Sequence, residues 1–259
     1  IGDTIRVSLT EEPEFESPVA KVLVDRYLNR NNHLKIKPPN NINFSPFKYE
    51  KRESDELLDI GGDNLPIVIS NLSNLEKINN VELESLGITY DPKSKKWERS
   101  DTSPDYIYVG DCIDLKEVNY KLIFNYPSWI KEKNNKNYYP LLSLHEFNSI
   151  DINLVSDEIN FLMVNSSDLE SVNNIQIPEN FVLIITTNNE HYMPDIRAFF
   201  MKNHKIKNPV ILSKNYDLSY SDKFIIHSST DIGSLFIQGY GDGIFIGNRS
   251  SNNKEIKKI

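Results

Sequence analysis

Cysteine is almost absent: Cys112 is the single one in 259 residues. One thiol cannot form an internal disulfide, a four-cysteine zinc site or an iron–sulfur cluster, so Cys112 reads as a small, buried or half-buried loop residue. Long apolar runs are absent too. None reaches the roughly 18 residues of a spanning helix, and no membrane partner is expected. Positive charge is in deficit: 29 Lys and Arg against 37 Asp and Glu leave a net charge of -8. That balance argues against nucleic acid or an anionic membrane as the main partner. There is no initiating Met and no signal-like segment, and Ile1 reads as mid-strand. The chain is therefore expected to be cut from a longer protein, with any targeting peptide outside it.

What is present is a series of short apolar segments. Ile5, Val7 and Leu9 alternate with Arg6 and Ser8 and predict a first strand. Pro18 then fits the first turn of a helix with Val19, Val22, Leu23 and Tyr27 on one face. Asn-rich stretches such as Asn79-Asn80 and Asn134 to Asn137 predict exposed turns between elements. From Leu65 onward nine strands are expected, at Ile67 to Ile69, Tyr106 to Val109, Leu122 to Phe124, Leu141 to Leu144, Phe161 to Val164, Val182 to Ile185, Val210 to Leu212, Phe224 to Ile226 and Ile244 to Ile246. Many are continuous apolar runs, the mark of strands covered on both faces. Helices are predicted over Leu72 to Leu86, Pro194 to His204, and Asp231 to Gln238, the last with Asp231 as N-cap and Gly239 as stop. The segment around Asp91 to Asp101 reads as a solvated β-hairpin. The fold class is α/β. Alternating strands and helices fit a (β/α)8 TIM-like barrel, degenerate and with loop insertions, if one of the nine strands is misassigned. A doubly wound open sheet is the runner-up.

Chemistry-bearing patterns are sparse. None of the five histidines forms an HExxH frame. His227 is expected at the end of a strand, where barrel enzymes place catalytic groups, and His145-Glu146 also follow a strand; a polar rim is the alternative for both. Gly239 to Gly243, GYGDG, lacks the Lys-Ser/Thr of a P-loop and reads as a turn. Arg6 and Ser8 share one strand face, a bidentate cation beside a hydroxyl, which suits a phosphate or diphosphate oxygen; a solvent-facing stripe is the alternative. The chain also echoes itself. Ile1-Gly2-Asp3-Thr4-Ile5-Arg6-Val7-Ser8 aligns with Tyr240-Gly241-Asp242-Gly243-Ile244-Phe245-Ile246-Gly247. The spacing is close to the roughly 250 residues of one barrel, as for the same strand in two successive barrels. Phe245 and Gly247 then replace Arg6 and Ser8.

The stretch GDTIRVSLT resembles the last barrel strand of the 4-hydroxy-3-methylbut-2-enyl diphosphate synthases, and KNPVILSKNYDL with KFIIHSSTDIGSLFIQGYGDGIFIG resembles the end of the extra domain of their large plant and apicoplast forms. Asp105 to Glu117 and Phe44 to Arg52 match more faintly. The resemblance implies part of an oxidoreductase of isoprenoid precursor biosynthesis, which reductively opens 2-C-methyl-D-erythritol 2,4-cyclodiphosphate. It implies a [4Fe-4S] cluster in the full-length enzyme and none in this part, whose cluster cysteines are missing. It also implies a ferredoxin-type or flavodoxin electron donor for the whole enzyme and a plastid-type organelle as its location. On the matching positions, Arg6 and Ser8 would bind the substrate diphosphate. Residues 1–30 would be the last strand and helix of the preceding catalytic barrel, and residues 31–259 an insert barrel between it and the iron–sulfur domain of the same chain. Such an insert would let the two active-site halves meet within one chain, where the short forms use a dimer. The alternatives are a phosphate-binding barrel active on its own and a docking surface for an acidic ferredoxin, which the negative charge disfavours.

Overall fold

The protein is described by a computed structural model covering residues 4–8, 10, 12–28, 33–37, 48–112, 114–115, 119–168, 177–217 and 221–248. Eight parallel strands close into a barrel: β1 (Ile67–Asn71), β2 (Tyr106–Gly110), β3 (Leu122–Asn125), β4 (Tyr138–Ser143), β5 (Asn160–Asn165), β6 (Phe181–Thr186), β7 (Val210–Tyr216) and β8 (Gly243–Asn248). They follow in chain order around the ring, and β8 returns to β1 through Gly243↔Ile67 and Phe245↔Ile69. Around them lie α1 (Pro13–Leu28), α2 (Asn80–Ser85), α3 (Tyr126–Glu132), α4 (Leu144–Ser149), α5 (Tyr192–Lys202), α6 (Ser221–Ser228) and α7 (Ser234–Ile237).

The architecture is the expected (β/α)8 barrel, and the open doubly wound sheet is excluded by the closed ring. Eight of the nine expected strands are strands. The ninth, Phe224 to Ile226, lies inside α6. β7 and β8 pair directly, Ile211↔Gly243, so the ring has no place for another strand between them. A three-residue apolar run does not distinguish a strand from the buried face of a helix.

Two apolar layers hold the ring. Inside are Ile67, Ile69, Tyr106, Ile123, Leu141, Phe161, Val182, Ile184, Ile211 and Phe245. The alternate residues Ile107, Leu142, Leu162, Leu183 and Leu212 face outward against Phe199 and Phe200 of α5, Phe224 of α6 and Leu235 of α7. Most strands are therefore covered on both faces, which is why they read as unbroken apolar runs, although the outward Val68 of β1 stays exposed. A short antiparallel turn, Glu56–Leu57 against Ile60–Gly61, closes the end where the strands start. Its Ile60 joins the interior layer. Its Asp59 accepts the Tyr106 hydroxyl at 2.7 Å and pairs with Lys121 at 2.8 Å.

Several local expectations are corrected. Residues 4–8 form no strand. A strand needs a neighbour for its ladder, and the closed ring offers no free edge to residues 4–8. Helix α1 begins at Pro13, so Pro18 lies within it and Glu14 and Glu16 occupy its first turns. The long helix expected over Leu72 to Leu86 shrinks to α2, because Asn79 starts it late: its side chain accepts Val81 N, and Glu82 reaches back to Asn79 N. Asp231 to Gln238 divides into a π turn, Ser229–Gly233, and α7. The expected hairpin is present as Ile88–Asp91 against Lys96–Arg99. Among the described residues no helix is long and apolar enough to cross a membrane.

Candidate functional site

Barrel enzymes place their chemistry at the C-terminal ends of the strands. Here those ends are set by parity. Residues in step with the interior layer are Asn71, Asn125, Ser143, Asn165, Thr186, Ser213, Asn215 and Gly247. They are amides, hydroxyls and one glycine. No Arg or Lys stands on the inward face of any of the eight strands; Lys214 of β7 is out of step with Ile211 and faces outward.

Two carboxylates stand beside this mouth, at a cleft of about 320 Å³ lined by Asp111, Asn125, Leu141, Ser143, Glu146 and Met163. Both are engaged. Asp111, just after β2, accepts Asn125 Nδ2 and Ser128 Oγ, each at 2.7 Å. The Tyr108 hydroxyl donates to Asn125 Oδ1 at 2.7 Å, completing a chain from Tyr108 through Asn125 to Asp111. Glu146 closes the cap of α4: its Oε2 accepts Ser143 N and Ser143 Oγ, each at 2.7 Å, while Ser143 Oγ accepts Glu146 N. Burial, with Asp111 and Glu146 nearby, pushes the Tyr108 hydroxyl above its ordinary pKa, against a smaller opposing effect of Asn125. Such surroundings repel an anion. Among the described residues, the cleft beside Asp111 and Glu146 holds no side-chain cation to grip a phosphate or diphosphate, and its local field has the wrong sign for one. A second cleft of about 340 Å³ at the ends of β5 and β6 is lined by Asn165, Ser166 and Thr187 with Lys35, Lys37 and Lys202.

The residues singled out in the sequence scatter. Arg6 and Ser8 are exposed in a segment without strand geometry, so their sharing of a strand face is not observed. His227 lies in the last turn of α6 and not at a strand end. His145 is exposed in the first turn of α4, beside the capping Glu146. Cys112 is buried, with its Sγ 3.4 Å from Glu76 O. GYGDG is a structural turn at the opposite end of the barrel. Gly239 has φ +81, and a Cβ there would fall on the Glu50 carbonyl. Asp242 takes Arg52 Nη2 at 2.7 Å, Ser54 Oγ at 2.8 Å and Val210 N at 2.9 Å. Of the echo, the second copy is β8, whereas residues 4–8 are not a strand and residues 1–3 lie outside the described residues. The Tyr108–Asn125–Asp111 chain was not legible beforehand, because Asn and Asp after a strand read as turn formers. Among the described residues no three His, Cys, Asp or Glu side chains gather as a metal site.

No protein-family profile matches the chain. Individual relatives do. A 4-hydroxy-3-methylbut-2-en-1-yl diphosphate synthase (flavodoxin) of Phocaeicola vulgatus is 29% identical over 252 residues, covering 96% of this chain and 38% of the relative. The protein of the same name from Bacteroides thetaiotaomicron is 27% identical, covering 97% of this chain and 38% of the relative. That of Leptospira interrogans is 22% identical over the whole chain and 42% of the relative. The chain thus spans well under half the length of these curated relatives. All three organisms are bacteria, which have no plastids, and this overturns the expected plastid-type organelle. Over nearly its full length, the chain is a relative of one part of the bacterial 4-hydroxy-3-methylbut-2-en-1-yl diphosphate synthases.

Proposed function

We propose that this chain serves such a synthase as a non-catalytic insert barrel. In this reading residues 31–259 form the insert and residues 1–30 the last strand and helix of the catalytic barrel before it. Arg6 and Ser8 bind the substrate diphosphate there, once a neighbouring strand of that barrel pairs with residues 4–8. The whole enzyme reductively opens a cyclic diphosphate in isoprenoid precursor biosynthesis, with electrons from flavodoxin, the donor in the relatives' names. The [4Fe-4S] cluster of that chemistry does not fit this chain: one buried Cys supplies too few thiolates. The cluster belongs to a domain beyond the insert, and the insert spaces the two active-site halves.

The observation that carries this reading is the inward face of the barrel strands, which holds no cation. A barrel that grips its phosphate with a strand-borne cation, as Arg6 would in the preceding barrel, needs one. The experiment is steady-state kinetics of the full-length enzyme. Arg6→Ala removes a charge-assisted contact worth roughly 1.5–3 kcal/mol, and kcat/KM is expected to fall on the order of ten- to a hundredfold. Asn125→Ala, at the mouth of this barrel, is expected to leave kcat/KM unchanged. Silence of Arg6→Ala, or loss of turnover in folded Asn125→Ala, would overturn the assignment.

A further inference from the structure

A buried ionic cluster lies in the outer wall of the barrel, beside the C-terminal end of β7. Asp231 is 1% exposed and accepts three donors: Arg26 Nη2 at 2.5 Å, Lys214 Nζ at 2.7 Å and the Tyr216 hydroxyl at 3.0 Å. Lys214 and Tyr216 both come from β7, on its outward parity. The Lys214 ammonium lies over the rings of Tyr192, 5.0 Å away, and Tyr216, 5.3 Å away. Arg26 comes from α1, at the other end of the chain, and its side chain is 4% exposed.

The backbone around Asp231 is unusual. Asp231 sits in the π turn Ser229–Gly233, between α6 and α7. A π turn adds a residue to a helical turn and shifts the register of the face that follows; such insertions are frequent at functional sites. Here the shifted register puts a carboxylate into the wall, opposite Lys214, and leaves it within reach of a helix packed outside.

Helix α1 packs on the barrel through partly buried residues. None of its sixteen residues is buried as a whole, and Phe15 and Leu28 are mostly exposed. Its partner is α6 and the cluster beneath it. An apolar contact of that size tolerates sliding and rotation. A buried ion pair does not, because a small displacement leaves both charges desolvated and unpaired. Buried ion pairs add little to stability beyond what apolar packing would give, and their best-attested use is to select one arrangement among several.

We propose that Asp231 is an orienting joint: through Arg26 of α1 it fixes the angle at which the preceding domain sits against this barrel. The proposal rests on the reading that α1 belongs to that preceding domain. Lys214 and Tyr216 hold the carboxylate in place from the barrel side, and Arg26 is the positioning residue on the other side. The two domains then meet in one geometry, as an enzyme whose active site is assembled from separate parts requires.

The test uses the full-length enzyme with two spin labels, one at Lys136→Cys on the exposed surface of this barrel and one on the preceding domain, read by pulsed dipolar spectroscopy. The wild-type pair is expected to give a single narrow distance distribution. R26M, which leaves Lys214 and Tyr216 on Asp231, is expected to broaden it at least twofold, and R26K, which can still reach the carboxylate, to narrow it again. A second label pair within this barrel is expected to stay narrow in R26M. A broad wild-type distribution, an R26M distribution that superimposes on wild type, or broadening of the internal pair as well would each overturn the joint. Arg6→Ala kinetics report separately on the reading of residues 1–30. Weaker substrate use by Arg6→Ala with no effect of R26M sinks the joint and spares that reading.

Discussion

Single residues carry two kinds of duty in this barrel, and both can be measured. Asp231 is a buried carboxylate between cations. Burial alone would raise its pKa, but Lys214 and Arg26 more than offset this and hold it below the ordinary carboxylate range. A carboxyl depressed in the folded state contributes its stability fully above its unfolded pKa of about 3.9, and loses it as pH falls through the folded value. Asp231→Asn is therefore expected to cost about 3–5 kcal/mol at pH 7, by stranding Arg26 and Lys214. The gap to wild type is expected to close as pH drops below about 4. Urea unfolding at pH 7 and pH 3 measures it, and a gap equal at both would contradict the pairing. Phe245 has the opposite character. It is 6% exposed, inside the ring, with its ring edge-on to Tyr108 at 5.4 Å. Phe245→Ala is expected to cost about 3–5 kcal/mol and to leave the turnover of folded enzyme intact; an unmoved unfolding midpoint with lost turnover would mean that this strand holds a site. Two positions on, a Cβ at Gly247 would come within 2.8 Å of Asn215 Oδ1, so Gly247→Ser crowds the mouth without making it a phosphate grip.

At the scale of elements, short motifs at the strand ends decide what the mouth is for. Ser143 ends β4 and caps α4, with Glu146 reciprocating. Ser143→Ala is expected to lower stability by about 1 kcal/mol and to leave turnover of the full enzyme unchanged. Thermal unfolding beside an activity assay checks both, and a large loss of activity at constant midpoint would give Ser143 a role in chemistry. The elements were legible where physics makes the pattern local. Phe181 to Ile185 is apolar at every position because β6 is covered on both sides, and the ends of the hairpin at Asp91 announce a turn. They were illegible where the outcome depends on distant partners. FII at Phe224 to Ile226 suits a strand or a buried helix face, and only the direct β7–β8 pairing decides for helix. Ile5, Val7 and Leu9 alternate like a strand, yet the closed ring gives residues 4–8 no edge. The π turn at Ser229–Gly233 has no sequence signature, and the pairing of Arg26 with Asp231 spans 205 positions. Of the candidate site, the polar character of the strand ends was legible, since Asn125, Ser143 and Asn165 follow apolar runs; the side chains that reach them from other elements were not, since Lys35 and Lys202 come to the cleft beside Asn165 from far along the chain.

For the molecule as a whole, composition sets a last limit. With Cys112 as its single thiol, buried against Glu76, the protein is expected to bind no iron–sulfur cluster by itself. Anaerobic reconstitution with iron and sulfide, followed by iron analysis and visible absorption, checks this; one cluster per chain would contradict it. The order of pairing has a consequence for how the chain is made. The ring is sealed by β8 against β1, through Gly243↔Ile67 and Ile244↔Val68. Roughly 180 residues separate the two strands, and a ribosome adds them at about 5–20 per second, so β1 emerges on the order of ten to forty seconds before its last neighbour. Throughout that interval the nascent sheet presents two bare edges of almost uninterrupted Val, Ile, Leu and Phe, the kind of edge that recruits foreign strands. In the proposed arrangement, with another parallel barrel just upstream on the same polypeptide, the nearest foreign strands are its own, and the time to completion of β8 is the window in which the two barrels must be kept from exchanging them.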